Sequence, residues 1–396
     1  MAYEFPEGWR FRMTGWRKFF ILVFLVAVGV MIYRLVYGLG AATHLNDQWP
    51  WGWWIAVDVL IGVALAGGGY STAFLVHILH RKQFAPVARA ALLTSMLGYI
   101  LVLIGLFMDI GRWYNFWRPF LVYPGSWHSV LFEVFWCISL YTMVQVLEFG
   151  SIVFERVKSD WLKRVFDAML PPLFILGVVL PTLHQSSLGS LYVVTVDRLD
   201  PLWWSIALPI FFLLSSFFVG PAMVTLEGSL AAKAYGRQME IPVLSRLVKV
   251  GAWVMFIYLV LKLIDLGYRN QFGHLFDGSL ESNLFLLEIV GGVIVPMIMF
   301  AIPSVRNSAG GLITASVLTV GGVILNRMNV VFTGMAAAMG GHYFPKWTEF
   351  MVTAGLIALA VLAYCFLVEN FAILPAEEHV PAGKPSEAHT SYTVVG

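Results

Sequence analysis

The stretch "MLPPLFILGVVLPTLHQSSLGSLY", residues 169–192, decides how the rest of the chain is read. Its first half is an apolar run of the kind lipid tolerates. Its second half places His184, Gln185, Ser186, Ser187 and Ser190 within seven residues. In hydrocarbon an unpaired polar group is costly, so a membrane helix that ends in so many hydrogen-bonding side chains needs a reason for them.

The remainder of the sequence has the same character. The 396 residues are 59% hydrophobic and 12% charged, with a mean hydropathy of +0.79, whereas a soluble domain carries roughly 25% charged residues. A helix needs roughly 20 mostly apolar residues to cross a bilayer. Ten such blocks are present, at about 18–39, 52–79, 87–110, 128–153, 165–186, 202–230, 247–267, 282–304, 309–333 and 349–374. They are apolar on all sides and lack the period-two alternation of barrel strands. The expected fold class is therefore an all-α polytopic membrane protein.

Ten spans put both termini on one side. The side of the termini and the even-numbered loops holds 17 of the 25 Lys and Arg residues, and the other side with its helix ends holds 8. The positive-inside rule then makes both termini cytoplasmic. The net charge of +2 suggests no nucleic-acid partner. The first apolar block is too long for a signal-peptide core and has no small-residue cleavage site, so it reads as a retained span. Cys137 and Cys365 fall inside spans and look like apolar fillers. Residues 1–17 are expected to form a cytoplasmic segment, 18–374 the membrane domain, and 375–396 a disordered cytoplasmic tail.

Ionisable residues inside a bilayer usually mark a pathway or a site. Asp58 lies roughly 10 Å below the Trp-rich start of span two, and Glu133 roughly 8 Å into span four, at 1.5 Å per residue. Asp109 and Arg112 stand at the outer mouth of span three, three residues apart, where they could form a plain end-of-helix ion pair. His184, Gln185 and Ser187 close span five. Four consecutive spans thus carry polar groups at one outer level. Each has a plainer reading: Ser186, Ser187 and Ser190 as glue between helices, His184 as a bond to a backbone carbonyl, and Trp53 as part of an interfacial belt. Asp58 and Glu133 are harder to dismiss, because hydrocarbon holds a lone carboxyl in its neutral form and a pair at one depth suits proton handling. A fainter inner set, His77, His80, Glu148 and Glu227, is either ordinary helix-end polarity or the inner end of a proton route. Lys262, Asp265, Asn326, Arg327 and Asn329 are assigned mainly to structure, with Lys262 and Asp265 neutralising each other.

Three chemistries fit such a cluster. Haem needs facing axial histidines; His128 and His184 could meet, but the stacked arrangement of four His on two helices is absent. A stand-alone proton-coupled transporter would use the carboxylates, the Gly-rich "ALAGGGY" (64–70) and a helix broken at "MLPPLF". A quinone needs an apolar slot, a planar wall, donors to two carbonyl oxygens and groups that pass two protons, and the outer cluster has all of these.

The pieces "RLVYGLGAATHLNDQWPWGWWIAVDVLIGVALAGGGY" (34–70), "MDIGRWYN" (108–115), "SVLFE" (129–133), "LPTLHQSSLGSL" (180–191), "EGSL" (227–230) and "YFPKWTE" (343–349) occur in order along the chain. In these it resembles the integral membrane subunit of hydrogenase-2-type nickel–iron hydrogenases, within the wider family of polysulfide-reductase and nitrite-reductase membrane anchors. "DIGRW" stands where the wider family often has "DLGRP"-like wording. The resemblance implies two four-helix bundles, about 52–186 and 202–333, with flanking helices. It implies a haem-free subunit of the bacterial inner membrane that passes electrons between a periplasmic ferredoxin-like iron–sulfur subunit and menaquinone or ubiquinone. Hydrogenase small and large subunits, with further iron–sulfur clusters and the nickel–iron site, would lie beyond that partner. Residues carried into the quinone site are Trp53, Asp58, Asp109, Arg112, Glu133 and His184, with Gln185 and Ser187 holding its shape.

Overall fold

The computed structural model describes residues 8–49, 51–122, 129–339 and 343–374; the expected C-terminal tail and His128 lie outside the described residues. Ten helices are long and apolar enough to cross a membrane: α1 (Gly15–Tyr37), α2 (Trp54–Ile78), α3 (Lys82–Asp109), α4 (Val130–Val157), α5 (Asp160–Val193), α6 (Leu208–Tyr235), α7 (Ile241–Tyr268), α8 (Leu280–Ala301), α9 (Ala309–Ala336) and α10 (Trp347–Asn370). No strand occurs among the described residues. The protein is an all-α polytopic membrane protein.

Helices α2–α5 pack as a closed ring of neighbours, and α6–α9 pack as a second. The rings meet where α2 and α5 lie against α6 and α2 touches α9. Helices α1 and α10 pair with each other, and α10 lies against α3. An Arg17–Glu369 ion pair and a bond from Asn370 Nδ2 to the Arg10 carbonyl (2.7 Å) tie that pair at the end nearest the termini. One hydrophobic core runs through both rings without a break, from Val59 and Tyr141 to Val248 and Val331.

Two helices differ from their expected form. "MLPPLF" does not break α5, which is continuous from Asp160 to Val193 through Pro171, Pro172 and Pro181. The break falls in α2, at Ala66–Gly67, between Gly62–Leu65 and Gly68–Ala73. Nor does α5 end at the polar cluster. The hydroxyls of Thr182, Ser186, Ser187 and Ser190 each donate to the carbonyl one turn back, at 2.8, 2.9, 3.0 and 3.2 Å. Satisfied in this way, they cost the helix little in lipid, and Leu188, Leu191 and Tyr192 continue its buried face.

Small residues set the closest crossings. At the α8–α9 contact a Cβ on Gly322 would fall 2.3 Å from the Gly292 Cα. Its neighbour Gly321 has nothing within 4 Å of an added Cβ. Gly322→Ala should therefore lower the midpoint of thermal unfolding in detergent, by the equivalent of about 1–3 kcal/mol for overpacking. Gly321→Ala should leave it unchanged or raise it, because Ala is the better helix former by about 1 kcal/mol. Equal melting of the two variants would contradict this crossing.

Candidate functional site

Between α2, α3, α4 and α5, at the face opposite the termini, lies a crevice of about 590 Å³. That is within the range of roughly 300–1,000 Å³ usual for small-molecule pockets. Aliphatic side chains such as Val59, Leu106, Val134 and Leu188 form its floor. Trp51, Phe116, Phe132, Phe135 and Tyr192 supply aromatic wall. Trp51 meets Tyr192 nearly edge-on, with ring centroids 5.2 Å apart and planes at 64°. Polar lining is sparse: Arg112 and Asn115 from the segment after α3, and Ser129 ahead of α4. Phe116 and Leu131 on its margin are exposed.

One turn beneath the floor the composition changes. His184 precedes Leu188 by four residues, about 6 Å along the helix. It is fully buried, and its Nε2 is 2.8 Å from the Tyr99 hydroxyl. The Tyr99 ring stands at 90° to that of Tyr141, with centroids 4.6 Å apart. Gln145 Nε2 donates to the Tyr141 hydroxyl at 3.0 Å and to Ser95 Oγ at 2.5 Å. Ser95 Oγ in turn donates to the Ala66 carbonyl at 2.7 Å, in the α2 break. Gln145 Oε1 and, one turn further along α4, Glu148 Oε1 are buried without a hydrogen-bond partner among the described residues. A polar file therefore leads from the crevice floor toward the terminal face. Glu227 stands apart from it on α6, accepting from the Tyr364 hydroxyl at 3.0 Å. His77 stacks on Phe174 with centroids 3.6 Å apart, and His80 lies beyond the end of α2 with φ of 52°.

The polar residues expected at one outer level are thus divided. Arg112 lines the crevice. Asp58 and Trp53 face away from it, toward α10: Trp53 Nε1 donates to Thr353 Oγ1 at 3.0 Å, and Thr353 Oγ1 donates to Asp58 Oδ2 at 3.0 Å. The backbone N–H of Trp53 donates to the Tyr343 hydroxyl at 2.9 Å, and that hydroxyl donates to Glu349. Asp109 forms no ion pair with Arg112. The end of α3 is instead held by Arg34, fully buried on α1, which donates to the carbonyls of Met108 and Ile110 at 2.6 Å each. Arg34 is also the charge closest in effect to the Asp109 carboxylate. Glu133 is partly buried and contributes nothing to the lining; its electrostatic neighbour is Cys137, one turn deeper. His184 sits nine residues short of the α5 terminus at Val193, not at it. Gln185 is occupied by the Val63 carbonyl (3.0 Å), and Ser187 by the Leu183 carbonyl.

The second ring holds a polar centre that the sequence reading assigned to structure, and it contains a residue that reading passed over. Glu288, buried on α8, accepts from Trp203 Nε1 (3.0 Å), Asn326 Nδ2 (2.7 Å) and Asn329 Nδ2 (3.1 Å). Arg327 reaches Asn326 Oδ1 (2.5 Å) and Ser215 Oγ (2.7 Å) and lies over the Phe212 ring. Lys262 and Asp265 do not neutralise each other. Asp265 pairs with Arg269 at 2.7 Å, while the Lys262 ammonium lies 4.6 Å from the Phe211 ring centroid. Arg34, Glu288 and Glu349 were all findable, since each is an ionisable residue in or at the mouth of an apolar block.

Among the described residues no group of three or more His, Cys, Asp or Glu could hold a metal ion. The model of the family "Polysulphide reductase, NrfD" matches residues 41–338. The chain is 33% identical to a "Probable Ni/Fe-hydrogenase 2 b-type cytochrome subunit" of Escherichia coli K12, over 89% of this chain and 90% of that protein. It is 26% identical to the "Menaquinone reductase, integral membrane subunit" of Nitratidesulfovibrio vulgaris Hildenborough, over 94% of this chain and 96% of that one. A putative dimethyl sulfoxide reductase membrane subunit of Halobacterium salinarum is 24% identical over 93% of this chain and 92% of that one. With that family's model matched from the first loop to the end of α9, and relatives aligned along nearly the whole chain, the protein belongs to the polysulphide reductase NrfD family.

Proposed function

We propose that the α2–α5 crevice is where this membrane subunit exchanges electrons and protons with a membrane quinone, menaquinone or ubiquinone. The observation that carries the reading is the crevice itself: an apolar slot with aromatic walls and one guanidinium, set one helical turn above a buried histidine–tyrosine pair. The slot suits an isoprenoid tail. Trp51 and Tyr192 suit the flat face of the head, and Arg112 and Asn115 suit its carbonyl oxygens. Reduction takes up two electrons and two protons and leaves a quinol. The electrons come from an iron–sulfur partner on the face opposite the termini, a reading supported by relatives named as membrane subunits of a hydrogenase and a menaquinone reductase. In orientation, the excess of Lys and Arg on the terminal side supports cytoplasmic termini and a periplasmic crevice.

In this reading Arg112 stabilises negative charge as it develops on the quinone oxygen, a charge-assisted contact worth about 1.5–3 kcal/mol. His184 and Tyr99 pass protons between the crevice floor and the file through Tyr141, Gln145 and Ser95. Glu133, partly buried at the outer end of α4, is the carboxyl that exchanges protons with the periplasmic side. Glu148 extends the inner end of the file, and through it protons cross the membrane during turnover. Asp58, Trp53 and Asp109 hold the loops that shape the mouth. The complex this supports is a hydrogenase of the type named for the Escherichia coli relative, with a ferredoxin-like subunit and small and large hydrogenase subunits, joining hydrogen oxidation to quinone reduction in either direction.

The subunit works without haem in this proposal, against the "b-type cytochrome" in that relative's name. His184, the histidine deepest in the helices, has its Nε2 on Tyr99 and its ring between Tyr99 and Tyr141. His77 is stacked on Phe174. Both rings are thus engaged with aromatic neighbours, which supports a haem-free reading. Reduced-minus-oxidised spectra of the purified subunit should show no b-type α-band; a stoichiometric band would refute the haem-free assignment.

Two activity measurements test the rest. Arg112→Gln in the assembled complex should lower kcat/KM for quinone about 10- to 100-fold, the equivalent of a lost charge-assisted bond, while hydrogen oxidation with a soluble dye stays normal. Unchanged quinone kinetics would place the head elsewhere. Tyr99→Phe, which removes one hydroxyl and no ring, should reduce kcat with little change in KM and enlarge the solvent isotope effect. Normal turnover in both Tyr99→Phe and His184→Ala would remove the pair from the proton path.

A further inference from the structure

On the face shared by the termini, a second cleft of about 280 Å³ opens between the start of α7 and the loop joining α8 to α9. Pro242, Ser245, Arg246, Lys249, Arg306 and Asn307 line it. Three cations and no carboxylate face one small space. Among the described residues none of the three forms an ion pair. Two of them are pinned. Arg306 Nη1 donates to the Ala301 carbonyl at 2.8 Å, at the end of α8, and Arg246 Nη1 donates to Gln83 Oε1 at 3.1 Å. Ser245 Oγ donates to Asn307 Oδ1 at 2.6 Å, which fixes the loop against α7. The side-chain Nδ2 of Asn307 has no hydrogen-bond partner among the described residues. Three like charges lining one cleft repel one another, and an anion among them relieves that repulsion.

What lies next to the charges identifies the anion. Residues 242, 246, 249, 253, 256 and 257 follow the spacing of three and four that puts them on one side of α7. Below Lys249 that stripe turns apolar and exposed, with Trp253 at 63%, Phe256 at 48% and Ile257 at 48%. Trp253 is seven residues past Arg246, about 10 Å deeper at 1.5 Å per residue. Helix α8 packs beside α7; Ile298 on it and Ile302 just past its end are exposed. A soluble phosphate would use the charges and leave the groove bare. A lipid uses both, and basic pockets between transmembrane helices are suited to anionic headgroups.

We propose that this cleft is a binding site for an anionic phospholipid. Its phosphate sits among Arg246, Lys249 and Arg306, and its acyl chains lie along the Trp253–Phe256 stripe between α7 and α8. The site lies in the second ring, away from the quinone crevice, and stands whether or not that assignment holds.

The test uses the full-length subunit, delipidated in detergent and then titrated with cardiolipin, phosphatidylglycerol, phosphatidylethanolamine or inorganic phosphate. Binding is read by native mass spectrometry and by the shift in melting temperature. The wild type should retain one of the two anionic lipids at least tenfold more tightly than phosphatidylethanolamine, and phosphate at millimolar concentration should not displace it. The triple variant R246Q/K249Q/R306Q should melt like the wild type in detergent alone and lose the preference. Equal retention of the zwitterionic lipid by the wild type would overturn the proposal without recourse to any variant. So would protection by free phosphate, or an unchanged preference in the folded triple variant. If the triple variant fails to fold, Trp253→Ser with the cations intact should weaken retention of the anionic lipid several-fold, and no effect there would also overturn it.

Discussion

In hydrocarbon every backbone carbonyl needs a partner within the protein, and among the described spans α2 carries a break that tests that rule. Its helical ladder stops at Ala66–Gly67. The carbonyls of Ala66 and Val63 are taken up by Ser95 from α3 and Gln185 from α5. Gly67 and Gly220 let the α2 and α6 backbones close to a distance at which an added Cβ would fall 2.8 Å from the Ser216 carbonyl. Those bonds do more than repair a break. Ser95 lies one turn from Tyr99 on α3, and Gln185 is the immediate neighbour of His184 on α5. The groups that satisfy the broken helix therefore fix the depth and rotation of the two helices that form the Tyr99–His184 bond. The site's geometry is set by a backbone requirement, and the apolar packing around it follows.

The same constraint explains what was legible in the sequence. Ten apolar blocks become ten helices because each must satisfy its own backbone, and the block edges fall within a few residues of most helix ends. The misreadings come from side chains that satisfy backbone locally. Ser186, Ser187 and Ser190 look like a helix end by polarity, but their hydroxyls fold back onto carbonyls one turn away, so the helix runs on. Pro171 and Pro172 look like a break, yet α5 continues through them. Composition does not distinguish a hydroxyl that bonds back from one that reaches across, or a proline a helix absorbs from one that stops it.

Residue depth was readable, but the direction a side chain faces was not. Asp58 lies about where the rise per residue puts it, yet it faces Thr353 on α10, almost three hundred residues away. That contact depends on how α1 and α10 wrap the first ring, and no spacing within α2 encodes it. Arg34 reads in the sequence as one more charge on the outer side. Its partners are the carbonyls at the end of α3, and only the fold brings these to it. Glu288 is the plainer oversight. It stands within the apolar run of α8, and the rule that singled out Asp58 and Glu133 applies to it equally. Its three amide and indole donors explain why a carboxylate is tolerated there.

The two clefts suit different occupants, although both open beside lipid-facing helices. The α2–α5 crevice has one guanidinium and five aromatic side chains in its wall. A planar, nearly neutral head gains from stacking and from one well-placed positive charge. The cleft at the start of α7 has three cations and no aromatic lining. Such a surface rewards a compact anion and offers a quinone ring nothing to stack on. A quinone held there would leave three charges uncompensated, and a phosphate in the crevice would have to shed its water against Leu106, Val134 and Leu188. In the proposed assignments, the difference in lining is enough to separate a quinone from a phospholipid, even when both arrive from the same bilayer.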